Sequence, residues 1–148
     1  MHDQDAQSLT AGLLAAGRAL VDGISAGLRT RGFDDVRPAH GFAFARLAPS
    51  GATITQLAEH LDVTRQAAAQ LVDELIAKGY VERRPHPDDA RARLIVLTDR
   101  GWACTRAAEA AMADTVGTWA EALGERRLLA LRDDLVRIAP HGPLRPTW

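Results

Sequence analysis

Apolar positions recur at three- and four-residue intervals over most of the chain and give way once to a strand-like run. Leu9, Leu13, Leu14, Leu20, Val21, Ile24 and Leu28 carry the helical period through residues 9–31. Gly32 ends that helix, and residues 33–38 form a connector. Gly12, Gly17, Gly23 and Gly27 lie inside it, each costing up to about 1 kcal/mol relative to Ala. A helix so weak alone draws its stability from packing, so these glycines predict close approach of another helix, from this chain or from a second subunit. Pro38 suits the first turn of a second helix over residues 39–47, with Phe42, Phe44 and Leu47 as its large apolar side chains. Pro49-Ser50-Gly51 is a turn, and Thr55 is the expected cap of the third helix.

The stretch from Ile54 to Arg93 organises the rest. Leu57, Ala58 and Leu61 mark a short helix, Asp62 and Val63 a break, and Thr64 a cap for the next helix. Ala68, Leu71, Val72 and Leu75 form that helix's apolar stripe, and Gly79 stands where it must stop. The pair reads as a helix-turn-helix. Ala58 is small where two helices approach, and Val63 is expected to fold onto the core. Asp62 occupies a position that favours positive φ, which Asp tolerates. Residues 80–84 and 94–97 are strand-compatible and flank the polar loop 85–92, giving a β-hairpin wing. Thr98 can cap a long helix over residues 99–123, with Trp102, Met112, Val116, Trp119 and Leu123 along its apolar positions. Gly124 breaks it. Leu128, Leu129, Leu131, Leu135 and Ile138 give a final helix over 125–138, which Pro140 stops before an extended tail, 141–148.

The expected fold is therefore mainly α with a small β-hairpin wing: a winged helix-turn-helix (38–101) between an N-terminal dimerisation helix (1–37) and C-terminal dimerisation helices with a tail (102–148). The first helix and the last two have more apolar face than the winged unit can cover, which points to a two-fold homodimer.

At 148 residues and 47% apolar, the chain is long enough for one domain with a real core. Its net charge of -1 excludes a protein that is basic throughout, but not one with a local basic surface. Cys104 is the single cysteine, so no intrachain disulfide forms. A polar, acidic start and no apolar run near the roughly 20 residues of a membrane span lead to an expectation of a cytoplasmic protein without membrane association. His2, His40, His60, His86 and His141 are dispersed and make no metal spacing. With no G-x-S-x-G, P-loop or G-x-G-x-x-G, neither an enzyme nor a cofactor is expected.

The ordered series L-A-E-H-L-D-V-T-R-Q, L-V-D-E-L-I-A-K-G-Y-V-E-R-R-P and D-D-A-R-A-R-L-I-V-L-T-D-R-G, from about Thr53 to Gly101, resembles the MarR family of bacterial transcriptional regulators. The resemblance implies a homodimer on double-stranded DNA at a pseudo-palindromic operator, more often as a repressor. If the second helix of the unit enters a major groove, its N-terminal half reads bases. Thr64, Arg65, Gln66, Ala69 and Gln70 lie off its apolar stripe; Arg65 suits guanine, and Gln66 or Gln70 adenine. Such residues also serve any solvated helix face. The family match favours DNA contact for Arg65 and Gln66 and leaves Gln70 open. Asp73 and Glu74 repel phosphate, so the contact zone should end before them. Arg91 at the wing tip suits a narrow minor groove, and Asp89 is expected to hold it by an ion pair, as the family's Asp-x-Arg implies. Ala90 departs from relatives that carry a second Arg. Arg93, Arg83 and Arg84 either contact phosphates or only solubilise the hairpin.

The family also implies a small aromatic or phenolic effector. His40, Phe42, Phe44 and Arg46 fall on the helix that would line its cleft, although plain core and a satisfied histidine explain the same residues. Cys104, lying outside the family's usual sensor position, reads as structural rather than redox-active. The alternative to a DNA-binding regulator is a winged-helix protein-interaction module, which need not keep Arg65, Gln66 and Arg91.

Overall fold

The structure, a computed structural model, describes residues 2–139; the expected stop at Pro140 and the tail lie outside them. In chain order it contains α1 (Asp3–Thr30), α2 (Pro38–Leu47), α3 (Ile54–Leu61), α4 (Arg65–Ala77), β1 (Val81–Pro85), β2 (Arg93–Leu97), α5 (Asp99–Leu123) and α6 (Glu125–Ile138). The described residues group into two compact units: one contains residues 2–34 and Ala108–Ala139, the other Asp35–Ala107.

In the second unit, local chemistry sets each boundary. Pro38 opens α2, where its missing N–H costs no helical bond. Thr53, not Thr55, caps α3: its hydroxyl accepts the Gln56 N–H while Gln56 Oε1 accepts the Thr53 N–H. The reason is spacing, since the reciprocal box needs Glu or Gln three residues on and Thr55 is followed there by Ala58. Asp62 ends α3 at φ 52°, ψ 50°. Val63, expected in the core, is 44% exposed, because the left-handed Asp62 turns the chain outward before Thr64 accepts the Ala67 N–H and starts α4. Gly79, at φ +78°, closes α4: its own N–H reaches the Ile76 carbonyl and the Tyr80 N–H the Leu75 carbonyl, satisfying two terminal acceptors.

β1 and β2 form an antiparallel hairpin in the register Val81↔Leu97 to Pro85↔Arg93. A third segment joins it that period and propensity do not reveal. Ala52 and Ile95 exchange both backbone hydrogen bonds, at 3.0 and 2.8 Å. Gly51 makes this possible: at φ +73° a Cβ there would meet the Ile95 carbonyl oxygen at 2.6 Å. Leu47, Leu57, Ala58, Leu61, Ala68, Val72, Leu75, Ile95 and Leu97 fill the unit's core, while Leu71, expected with them, is only half-buried.

In the first unit, α1 starts six residues earlier than its apolar stripe, at Asp3 rather than Leu9. Asp3 and Asp5 in the first turn favour this through the positive end of the helix dipole. Gly32, at φ +86°, closes α1 as Gly79 closes α4, with the Phe33 N–H on the Leu28 carbonyl. The glycines divide. Gly23 packs on Thr115 and Gly27 on Ala111 of α5, where added Cβ atoms would come within 2.7 and 2.6 Å, whereas Gly12 and Gly17 have no described atom within 4 Å. Arg31 donates to Asp114 across the same pair of helices. By length and composition alone α1 is long and apolar enough to cross a bilayer, although Arg18 and Asp22 break its apolar run, in line with the sequence expectation. Alanine and glycine raise its average without forming a run of large apolar side chains. Much of this unit's apolar surface is uncovered: Leu9, Leu14, Met112, Leu129, Val136 and Ile138 are all exposed, Leu14 by 72% and Ile138 by 73%.

Candidate nucleic-acid interface

The winged unit exposes polar residues on α4 and on the hairpin, which Arg83 joins to Asp73 of α4. Burial of Ala68, Val72 and Leu75 fixes the rotation of α4, and Thr64, Arg65, Gln66 and Gln70 are then exposed on its N-terminal half. Ala69 beside them is half-buried. On the hairpin Asp89, Arg91 and Arg93 are exposed. Among the described residues Arg65, Arg91 and Arg93 make no ion pair, so their full charge faces outward.

The neighbouring charges are spoken for. Arg83 donates to Asp73 across the join of wing and α4, and Arg84 to Glu82. Glu74 accepts from both Arg37 and Lys78. The Lys78 ammonium, with the other donors, holds the Glu74 carboxyl at about 2. The two acidic residues expected to repel phosphate are thus each matched by a cation, and the two wing-base arginines by carboxylates. Sequence spacing alone does not show these pairs, because Asp73–Arg83 and Arg37–Glu74 join residues on different elements.

Asp89 does not hold the Arg91 guanidinium as expected. Its Oδ1 accepts the Arg91 backbone N–H at 2.9 Å, and the Asp89 carbonyl accepts the Ala92 N–H at 3.1 Å. A carboxylate two residues before an amide reaches the main chain more readily than a long flexible side chain, so Asp89 shapes the wing loop and leaves the exposed Arg91 guanidinium without an ion pair. His86 adds to that loop: its Nδ1 accepts the Asp88 N–H.

The start of the wing is anchored by Tyr80, which is fully buried. Its hydroxyl donates to Asp35 Oδ1 at 2.5 Å and accepts from Arg100 at 3.1 Å. Arg100 also lies over the ring, 4.6 Å from its centre, a favourable cation–π placement. The Tyr80 hydrogen bond, together with Arg100 and Lys78, holds the Asp35 carboxyl below its ordinary value, while burial pushes the phenol up. Gly101 explains the spacing of the Thr98-x-x-Gly101 motif. Thr98 accepts the Gly101 N–H and donates to the Gly79 carbonyl, and Gly101 lies so close to Tyr80 that a Cβ would sit 2.2 Å from its carbonyl oxygen.

Of the four α2 residues expected beside an effector, His40 and Phe44 are buried in this unit's own core, and Phe42 and Arg46 are half-buried. The Phe44 ring packs on Tyr80, with centroids 5.5 Å apart, and Arg46 donates to the Gly51 carbonyl. Cys104 is buried, and burial pushes its thiol up to about 11, which suits an inert core residue. No group of three or more His, Cys, Asp or Glu that could hold a metal ion occurs among the described residues.

A family model described as the MarR family matches residues 35–92. An uncharacterized protein of Mycobacterium tuberculosis is 30% identical over 119 residues, covering 76% of this chain and 83% of that protein. The crystal structure of a MarR family transcription regulator superposes with a TM-score of 0.73 at 26% identity, covering 92% of this chain and 88% of that one. A cysteine-to-serine mutant of MarR from Escherichia coli, complexed with operator DNA, superposes with a TM-score of 0.72 at 22% identity, covering 92% of this chain and 96% of that one.

Proposed function

The chain belongs to the MarR family, and from that premise we propose that it is a sequence-specific DNA-binding transcriptional regulator. It acts as a homodimer on a pseudo-palindromic operator, in the cytoplasm and by the family's habit as a repressor. The observation that carries this reading is the exposed set Thr64, Arg65, Gln66 and Gln70 on α4, together with the unneutralised Arg91 and Arg93 on the wing. In the proposed complex α4 enters the major groove, Arg65 pairs with a guanine, and Gln66 or Gln70 with an adenine. Arg91 enters the minor groove, held out by a loop that Asp89 shapes, and Arg93 meets a phosphate.

The dimer is supported by the uncovered apolar side chains of α1, α5 and α6, since a monomer rarely leaves so much large apolar surface in water. Two-fold pairing of these helices would set two copies of α4 about one helical turn of DNA apart, about 34–36 Å, or a multiple of it. A small aromatic effector that changes this spacing completes the reading. His40 and Phe44 are committed to the core, which leaves Phe42 and Arg46 as the α2 side chains able to meet it.

Selection of duplexes from a random pool, with titration of the selected duplex at several salt concentrations, tests the function. The expected outcome is an inverted-repeat site whose affinity falls steeply with salt, because each neutralised phosphate releases counterions. Arg65→Ala should cost about 1–3 kcal/mol and relax preference at one base pair per half-site. An unenriched pool, with no retention on heparin, would leave the winged unit as a protein-interaction module.

A further inference from the structure

His40 is the one buried polar or charged residue among those described, with 0% of its surface exposed, and the proposed DNA recognition does not use it. It sits on the first turn of α2, where its Nδ1 accepts the Arg37 backbone N–H at 3.0 Å. An accepting Nδ1 carries no proton, so the neutral ring has its hydrogen on Nε2. Nε2 faces Glu74 Oε1 of α4 at 3.3 Å, without the alignment of a hydrogen bond. The same carboxylate is held by Arg37, the residue before α2, and by Lys78, the residue after α4. Lys78 also donates to the Asp35 carbonyl, and Asp35 leads on to Tyr80 and Arg100.

The start of α2 is thus tied to α4 by the Arg37–Glu74 ion pair, and Arg37 is in turn held by a ring that must stay neutral. A second proton would enter at Nδ1, where the Arg37 amide already points its own hydrogen, and two donors cannot face each other at 3.0 Å. We propose that His40 is a proton-operated latch: uptake of a proton at Nδ1 expels the Arg37 amide, uncaps the start of α2 and draws the displaced Arg37 away from its ion pair with Glu74 on α4, a loss that outweighs the attraction of the new imidazolium for Glu74. Resting on the DNA-binding reading, the released α4 is a less ordered recognition helix, so operator affinity falls on acidification.

The charges around the ring set the direction. Burial opposes the imidazolium most strongly; Glu74 favours it, and Arg37 and Lys78 oppose it, with the net result that the His40 pKa lies below its ordinary value. The latch therefore stays shut at neutral pH. Below the unfolded-state value of about 6.5, the open fraction rises about tenfold per pH unit until the folded value is reached.

The chain supplies its own comparison for the test. At the same position of α3, Gln56 Oε1 accepts the Thr53 N–H at 3.0 Å, so His40→Gln keeps a cap acceptor that does not titrate. In the full-length protein, imidazole NMR signals, amide exchange at Arg37 and affinity for the selected duplex are followed at constant ionic strength from neutral pH into acid. The expected result is a His40 titration below about 6.5, with loss of Arg37 protection and of affinity on the same curve. His40→Gln should remain protected and bound through that window. Arg37 protection that ignores the His40 titration, or a His40→Gln protein that loses it at the same pH, overturns the latch. Should the variant fail to fold, the wild-type titration and exchange curves decide alone. Amide exchange that tracks His40 in a protein that selects no duplex would sustain the latch and sink the DNA-binding reading instead.

Discussion

Replacing Gly101 by Ala makes a local test of how the wing is attached to α5. Alanine is the better helix former, by at most about 1 kcal/mol, so propensity alone predicts stabilisation. Geometry predicts the reverse. The new Cβ would lie 2.2 Å from the Tyr80 carbonyl oxygen and 3.2 Å from two Leu97 carbons, whereas a carbon rests no nearer than about 3.3 Å to such an oxygen. Either α5 or the start of β1 must therefore retreat by about 1 Å. The retreat strains the Thr98 N–H bond to the same Tyr80 carbonyl and the Thr98 hydroxyl's bonds to Gly101 and Gly79. Overpacking costs about 1–3 kcal/mol, and each lost hydrogen bond about 1 kcal/mol more, so the clash wins by about 2–4 kcal/mol. For a chain of this size that lowers Tm by about 5–15 °C. Gly41→Ala is the control. It makes the same chemical change in α2, where, the helix's own backbone aside, no described atom lies within 4 Å of the added carbon, and should raise stability by about 0.5–1 kcal/mol. Thermal and urea unfolding followed by circular dichroism, at equal protein concentration, separate the two. A Gly101→Ala protein melting within about 2 °C of the parent, or both variants moving in the same direction, refutes the packing argument.

Arg91→Ala should weaken operator binding and reduce the salt slope by about 1, leaving the dimer intact by light scattering; parental affinity would show that the wing arginine touches no DNA. Thr53→Ala removes the cap of α3 and should cost about 1 kcal/mol, whereas Thr55→Ala should be close to neutral, and a reversed order in chemical denaturation would return the cap to Thr55. Glu74 provides a second pH test. Its carboxyl is held at about 2 against an ordinary 4.5, so the folded state binds fewer protons than the unfolded one. The stability it contributes is full above pH 4.5 and lost as pH falls towards 2. Glu74→Gln should flatten the dependence of the urea midpoint on pH in that window, and an unchanged slope would assign acid unfolding to other carboxylates.

Most of what depends on residues within about six positions of each other was legible before folding, the Thr53 cap and the Asp89–Arg91 contact being exceptions. Thr64 before an apolar stripe, Gly79 and Gly32 after one, Pro38 at a first turn and Gly124 between two helices each act on backbone groups one turn away. They placed α2 to α6 within two residues of where they lie. Even the misjudged cap was written locally, as Thr53-x-x-Gln56. The exposed α4 residues were legible for the same reason, since the period that buries Ala68, Val72 and Leu75 leaves Arg65, Gln66 and Gln70 on the other side.

Tertiary structure decided everything that joins distant residues. The four α1 glycines look alike in sequence, yet only Gly23 and Gly27 meet α5. Arg83 reads in sequence as a phosphate contact or a merely solubilising residue, until Asp73 is brought beside it. His40 reads in sequence either as effector-lining or as a satisfied core histidine, until burial places it between the Arg37 amide and the Glu74 carboxylate. The sequence by itself therefore determined which segments are helix, turn and wing, because capping, glycine conformation and apolar period act through the nearest turn of chain. Which charges stay free to meet a partner was decided only by the fold, because Coulomb interaction and steric exclusion act through space, between atoms that chain order does not bring together.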